Sequence, residues 1–170
     1  SDNEAQPLIV QSHLGSFAIT TVGRINNMDE LKDLCFASGK VQFLENSKGQ
    51  INQTEMVAAL INLKNDVIEG LTFAQEHIKG SMSILLLFPN KIYACRDKFG
   101  RTPIIIGSKN NATCFAFESS SFVNLGFKYV KDLGPGEIVS ITADSIVQER
   151  GPNEKMKVCS FLWTYYGYPT

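Results

Sequence analysis

The sequence has no long apolar run and no basic leader at its start. Its uninterrupted apolar segments are short, and the strand-like one at residues 84–88 ends at Pro89. That segment is far shorter than the ~20 residues that a membrane-spanning helix needs. The first residues include Asp2 and Glu4, whereas a secretory signal begins with basic residues. The sequence therefore predicts a protein that neither spans a membrane nor is secreted.

An excess of charge is also absent, since 16 Lys and Arg stand against 17 Asp and Glu. A protein whose main partner is nucleic acid needs a basic face, which a net charge of −1 does not favour. The four cysteines form no CxxC pair, and no phosphate-binding loop, zinc-ligand spacing or GxSxG motif is present. We therefore expect no nucleic acid partner, no metal and no cofactor in this chain, and a reducing, cytoplasmic location.

The chain has the length and composition of one globular domain, with 170 residues of which 44% are hydrophobic and 19% charged. Helical periodicity predicts a helix over 27–36, a helix from about Thr54 that Gly70 ends, and a third helix over 71–78. Strands are predicted at 8–10, 17–20 and 41–44, then as hairpins at 82–88 with 91–96, 103–107 with 113–117, and 137–142 with 145–148. Helices followed by antiparallel hairpins predict an α+β fold.

The residue types alone name no reaction. The two histidines are far apart in the sequence, and no cysteine has a histidine near it, so packing roles are expected for both residue types. The charged segment 96–101 is typical of a structural turn in which Asp97 bonds backbone amides or Arg101. The glycine-rich segment 132–137 is likewise typical of a turn.

Several spaced blocks nevertheless resemble one known family. The glutaminase domain of amidophosphoribosyltransferase has the order Arg-Asp-Pro-x-Gly-x-Arg-Pro-Leu, Ala-Ser-Glu-Ser and Asp-x-x-Pro-Gly-Glu-Ile. The similar blocks here are, in order, residues 94–104 (ACRDKFGRTPI), Gly107, 116–119 (AFES), 125–127 (LGF) and 132–139 (DLGPGEIV). Residues 5–7 and the aromatic tail 159–169 also fit the family. The resemblance therefore covers essentially the whole chain.

This resemblance implies a class II glutamine amidotransferase with the fold of an N-terminal-nucleophile (Ntn) hydrolase, a four-layer αββα sandwich of antiparallel sheets. In that family an N-terminal cysteine attacks the glutamine amide with its own α-amine as base, and an oxyanion hole stabilises the intermediate. The ammonia then passes to phosphoribosyl pyrophosphate in a second domain, the entry step of purine synthesis. Residues 1–150 would form the amidotransferase-like domain, and 151–170 would lead towards a phosphoribosyltransferase domain not present here.

The catalytic nucleophile departs from the family pattern. The family's cysteine opens the domain and is followed by glycine and a strand, and no such block is present here. Ser1 has a free amine, but without the glycine and the strand we interpret it as the start of a fragment. We therefore expect no catalytic residue in this chain, and a domain that lacks its N-terminal strands.

At two further positions the residue here differs from the family residue that takes part in catalysis or substrate binding. The family's oxyanion segment His-Asn-Gly-Asn aligns with residues 21–24, where Gly23 keeps a backbone donor but Val22 replaces the donating Asn. One such donor is typically worth ~3 kcal/mol of transition-state stabilisation. The family's substrate-binding Asp aligns with Gln53, which is neutral and cannot pair with the α-ammonium group of glutamine. We therefore expect that the chain does not hydrolyse glutamine.

The resemblance also bears on Cys159. Its position matches the first iron ligand of those family members that carry an iron–sulfur cluster, although members without a cluster can have cysteine there too. The remaining ligands would lie beyond Thr170, so no cluster is expected in this chain.

Three interpretations stay open. The first is a fragment of an amidophosphoribosyltransferase-like protein with a degenerate glutaminase site, whose role is scaffolding or subunit contact. The second is an active glutaminase whose cysteine and front strands come from upstream sequence. The third is a binding module with a compact pocket near Gly23, lined by Gln53 and Arg24.

The predicted lack of the front strands has a physical consequence. It would leave a sheet edge and apolar surface bare, which a stable protein must cover. We therefore expect self-association, or a partner chain that supplies those strands.

Overall fold

A computed structural model describes residues 6–39, 46–47, 50–110, 112–158, 160 and 164 of the chain. The predicted strand over 41–44, Ser1 and Cys159 lie outside these residues. The elements within them are β1 (Leu8–Ser12), β2 (Gly15–Ile25), α1 (Met28–Ala37), β3 (Asn46–Ser47), β4 (Gln50–Ile51), α2 (Gln53–Asn62), α3 (Val67–His77), β5 (Gly80–Phe88), β6 (Lys91–Cys95), β7 (Ile105–Lys109), β8 (Ala112–Ala116), α4 (Ser120–Leu125), β9 (Lys128–Asp132), β10 (Ile138–Ile141) and β11 (Ile146–Arg150).

A six-stranded antiparallel sheet forms the centre of the domain, in the order β1-β2-β5-β6-β10-β11. It is assembled from three hairpins that the turn signals predict. Leu8 pairs with Ile19 in the first, and Phe88 pairs with Lys91 across the Pro89-Asn90 turn in the second. Each hairpin joins strands that are neighbours in sequence, which is why local patterns are sufficient to predict them.

Helices α1, α2 and α3 cover one face of this sheet. Alternate residues of β2 and β5, such as Ile19 and Leu86, point to that face and are fully buried against helix residues such as Leu60 and Leu71. The helices lie on this side because their apolar positions recur at helical spacing and need a partner surface. None of the helices in the described part of the chain is long and apolar enough to cross a membrane.

The prediction that Gly70 ends a helix is wrong. Gly70 lies inside α3, and the break falls earlier, where Asp66 caps α3 by accepting hydrogen bonds from the N–H groups of Ile68 and Glu69. A Cβ at position 70 would lie 2.6 Å from the carbonyl oxygen of Ile61 in α2. The glycine is therefore needed for the close approach of two helices and does not act as a stop signal.

A second sheet, of three strands in the order β8-β7-β9, packs on the other face of the first. Ile104 and Ile106 face inward, where they form a second core with Val139 and Ile141. Gly107 faces outward, and a Cβ there would lie 2.8 Å from the ring of Phe122 in α4. The order of layers is therefore helices, large sheet, small sheet and α4, in agreement with the predicted αββα sandwich.

Strand β9 and helix α4 are not among the predicted elements. Four of the five β9 residues are exposed, including Tyr129 and Val130, so its sequence shows no clean alternation of apolar and polar positions. The strand forms because it pairs with β7 at the edge of the small sheet, a contact between distant residues.

Candidate functional site

The predicted oxyanion segment lies near the end of β2, where that strand pairs with β5. Gly23 has φ +150 and pairs with Met82. A Cβ at this position would lie only 1.9 Å from the carbonyl oxygen of Ser81, so glycine alone fits the close approach of the two strands. Val22, immediately before it, is 43% exposed and presents only methyl groups to solvent.

The start of helix α2 lies beside the same end of β2. The side-chain oxygen of Gln53 accepts a hydrogen bond from the backbone N–H of Ile25 at 2.7 Å. Beneath it, the hydroxyl groups of Thr21 and Thr54 lie 2.7 Å apart in a hydrogen bond, and both residues are buried. The structure therefore brings the two predicted site positions, Val22-Gly23 and Gln53, to one corner of the fold, which we call the β2–α2 corner.

Hydrogen bonds within the protein occupy several polar groups of this corner. The side-chain oxygen of Asn52 caps α2 by accepting a hydrogen bond from the N–H of Thr54 at 2.8 Å. Gln6 accepts from the N–H of Thr21 at 2.8 Å. An asparagine directly before a run of helical positions is a cap signal that the sequence itself carries.

Arg24 is exposed, and its guanidinium makes no hydrogen bond or ion pair with the residues that the structure describes. A small cavity of about 10 Å³ lies next to Val22, and Ser83 and Phe117 are also among its walls. Neither Gly23 nor Gln53 lines it, nor does Arg24. That volume is about the size of one water, so this cavity is not the ligand pocket that the binding-module interpretation expects.

The two motif segments 96–101 and 132–137 contact each other through Arg96. Its guanidinium donates to Asp132 Oδ1 at 3.0 Å, to the carbonyl of Leu133, and to the carbonyl of Gly100 at 2.7 Å. The Arg96 side chain is 5% exposed. The buried arginine therefore ties together two turns that are distant in sequence.

The carboxylates of these segments are also held by the protein. Asp97 accepts from the backbone N–H of Arg101 at 2.6 Å, as the prediction of a structural turn expects. Burial by itself raises the pKa of Glu137, but Lys131, the Gly134 N–H and Gln148 together outweigh it and lower that pKa below its ordinary value. Both carboxylates thus serve the architecture of the turns.

The described cysteines show no sign of activation. Burial raises the pKa of the Cys35 thiol to about 11 and that of Cys95 to about 12. Nucleophilic cysteines instead have a lowered pKa. His77 stacks on Phe73 at 3.9 Å between ring centroids, the packing role that the sequence predicts. Within the described ranges no group of three or more acidic, histidine or cysteine side chains could hold a metal ion.

Comparison with known proteins decides the family. The family model described as "Glutamine amidotransferase domain" matches residues 1–124. This chain belongs to that family. The amidotransferase domain is similar to curated amidophosphoribosyltransferases from Methanocaldococcus jannaschii, with 28% identity over 85% of this chain, and from Archaeoglobus fulgidus, with 24% identity over 97%.

A solved structure gives the same assignment. The phosphoribosyl pyrophosphate amidotransferase of Bacillus subtilis, solved with ADP and GMP, superposes on 99% of this chain with a TM-score of 0.82 and 25% identity. The class II amidotransferase family and the Ntn-hydrolase fold that the motifs predict are therefore confirmed. The chain spans 30% and 36% of the lengths of the two curated relatives and 37% of the B. subtilis chain.

Proposed function

We propose that this chain is the glutaminase-like domain of an amidophosphoribosyltransferase-like protein of purine biosynthesis, and that it does not itself hydrolyse glutamine. In this proposal residues 1–150 form the domain, and 151–170 lead towards a phosphoribosyltransferase domain. The observation that carries the proposal is the β2–α2 corner, where a neutral Gln53 is hydrogen-bonded to the backbone of β2. Glutamine would be the ligand of the parent family.

The chemistry of the corner supports the lack of turnover. An amide at position 53 offers no negative charge to an α-ammonium group, and its oxygen already accepts from Ile25. Val22 offers no side-chain donor, so an oxyanion would have to rely on backbone amides such as that of Gly23. Losing one oxyanion donor typically reduces turnover by about 100-fold or more, independently of the lost substrate charge.

A role in scaffolding or subunit contact fits what the domain retains. The buried Arg96 network and the close glycine contacts hold the architecture, while the positions that would bind glutamine have changed. The described cysteines Cys35, Cys95 and Cys114 are unpaired, which supports a cytoplasmic location as part of the same proposal.

Incubation of the chain with glutamine tests this proposal. Ammonia release would be followed by a coupled enzymatic assay, with the heat-denatured chain as the background and the B. subtilis enzyme as a positive control. We expect no release above the background.

The proposal includes a partner for the uncovered part of the large sheet. The core between the two sheets centres on β6 and β10 and reaches β5 at Leu85. Apolar residues remain exposed on β1, β2 and β5: Ile9 (71%), Val22 (43%) and Leu87 (53%). Phe117, which follows β8 and lines the same small cavity as Val22, is 49% exposed. An apolar strip of this kind is usually covered by another surface, so we propose self-association, or strands supplied by another chain.

Sedimentation velocity checks the self-association. We expect a dimer or larger species, and we expect Leu87→Lys to shift it towards the monomer because it places a charge on the apolar strip. Val123→Lys is a matched control, since Val123 is 81% exposed on α4, away from the strip. A wild-type chain that sediments as a monomer at every concentration would exclude self-association.

A further inference from the structure

Three cations surround one aromatic ring in the turn after β6. The Lys157 Nζ lies 4.4 Å from the centroid of the Phe99 ring, the Arg101 Cζ 5.3 Å and the Lys98 Nζ 5.6 Å. We call these four residues the Phe99 cluster. Cation–π attraction is significant within about 6 Å, so the ring organises all three charges.

The cluster is positively charged and forms no close ion pair within the part of the chain that the structure describes, although the carboxylates of Asp97 and Glu76 lie near enough to attract Lys98. None of its three cations forms an ion pair with a carboxylate among the described residues. The nearest acid in sequence, Asp97, is fully buried and accepts from the backbone of Arg101. The chain as a whole carries a net charge of −1, so three cations without a close ion pair at one place are a local feature and not an overall excess.

The cations are held in place by the backbone. Lys98 donates to the carbonyl of Ile78 at 2.5 Å, and Arg101 donates to the carbonyl of Gly80 at 3.0 Å. These contacts use one donor of each head and leave the others available, since lysine has three and arginine five. The segment that carries Lys157 is fixed by the hydrogen bond of its N–H to the carbonyl of Phe99 at 2.8 Å.

Two of the cations are additions to the shared turn. In the motif order Arg-Asp-Pro-x-Gly-x-Arg-Pro-Leu, Lys98 stands at the proline position and Arg101 at an unspecified one. The turn itself is held by Arg96 and Asp97, which fit the motif. Lys98 and Arg101 are therefore not among the residues that the motif specifies for this turn.

We propose that the Phe99 cluster is a docking surface for an acidic segment of a protein partner. A half-buried aromatic ring with arginine beside it is typical of the centre of a protein interface. Charge complementarity selects carboxylates, because each of the three cationic heads has donors left with which it can bind one without a change in the fold. The heads are arranged around an apolar ring, which favours a peptide surface over an isolated phosphate.

The test uses a fluorescent peptide of eight glutamates and the full chain. We expect the peptide to bind more tightly than a peptide of eight glutamines, and increasing salt to weaken the binding. Lys157→Glu should weaken it by about threefold or more, since attraction at an exposed site becomes repulsion. Lys157→Gln should give a smaller loss in the same direction.

Lys155→Glu is the matched control. Lys155 is exposed, lies two residues from Lys157 and makes no described contact with the Phe99 ring, so the same change of net charge should have a smaller effect there. Equal losses from both substitutions would overturn the proposal, as would equal binding of the glutamate and glutamine peptides. Tighter binding of a single-stranded oligonucleotide or of inorganic phosphate than of the glutamate peptide would also overturn it.

Discussion

Replacement of Arg96 with alanine is expected to lower the free energy of unfolding by about 3 kcal/mol, because two buried carbonyl groups lose their donor. The Arg96 side chain is 5% exposed and donates to Asp132 and to two backbone carbonyls. Its loss would leave the carbonyls of Leu133 and Gly100 without this donor inside the protein. Urea unfolding followed by circular dichroism measures the change.

Arg24→Ala is the control for this substitution. The same side chain is removed, but Arg24 is exposed and makes no described hydrogen bond, so a change of about 0.5 kcal/mol or less is expected. A loss below about 1 kcal/mol for Arg96→Ala would mean that the contact between the two turns does not hold the domain together.

Replacement of Gly23 with alanine should cost about 3 kcal/mol, from steric overlap and backbone strain together. The new Cβ would lie 1.9 Å from the carbonyl oxygen and 2.6 Å from the carbonyl carbon of Ser81. At φ +150 the alanine would also occupy a conformation that residues with a side chain rarely adopt. We expect β2 and β5 to separate locally, with a lower thermal midpoint of unfolding.

Gly151→Ala serves as the comparison. A Cβ at Gly151 would meet nothing within 4 Å and its φ is not in the left-handed region, so the thermal midpoint should hardly change. Unfolding of both variants at the same temperature would contradict the claim that β2 and β5 approach too closely at Gly23 to admit a side chain.

Local sequence signals are sufficient to predict elements that are stabilised by contacts between residues close in sequence. The β1–β2 and β5–β6 hairpins follow from alternation and turn residues. Gly70 shows the limit of such signals. A glycine in a helical pattern predicts the end of a helix. Gly70 is instead required because Ile61 of another helix approaches it closely, and no local pattern indicates that contact.

The candidate site depended on more than local pattern. Residues 22–23 and 53 are not neighbours in sequence, and only the resemblance to a family indicated that they meet. The contact of Gln53 with Ile25 places them at one corner. Local pattern does not predict the edge strand β9 for a related reason: Tyr129 and Val130 are exposed, and the strand forms through its pairing with β7.

Ammonia release from glutamine is the measurement that tests the central claim most directly, because it reports on binding and cleavage together. We predict that the chain, at a concentration where the B. subtilis enzyme gives clear turnover, releases no more ammonia than its heat-denatured sample. Turnover above that background that is lost on unfolding would contradict the claim that this amidotransferase domain keeps the fold without the glutaminase chemistry.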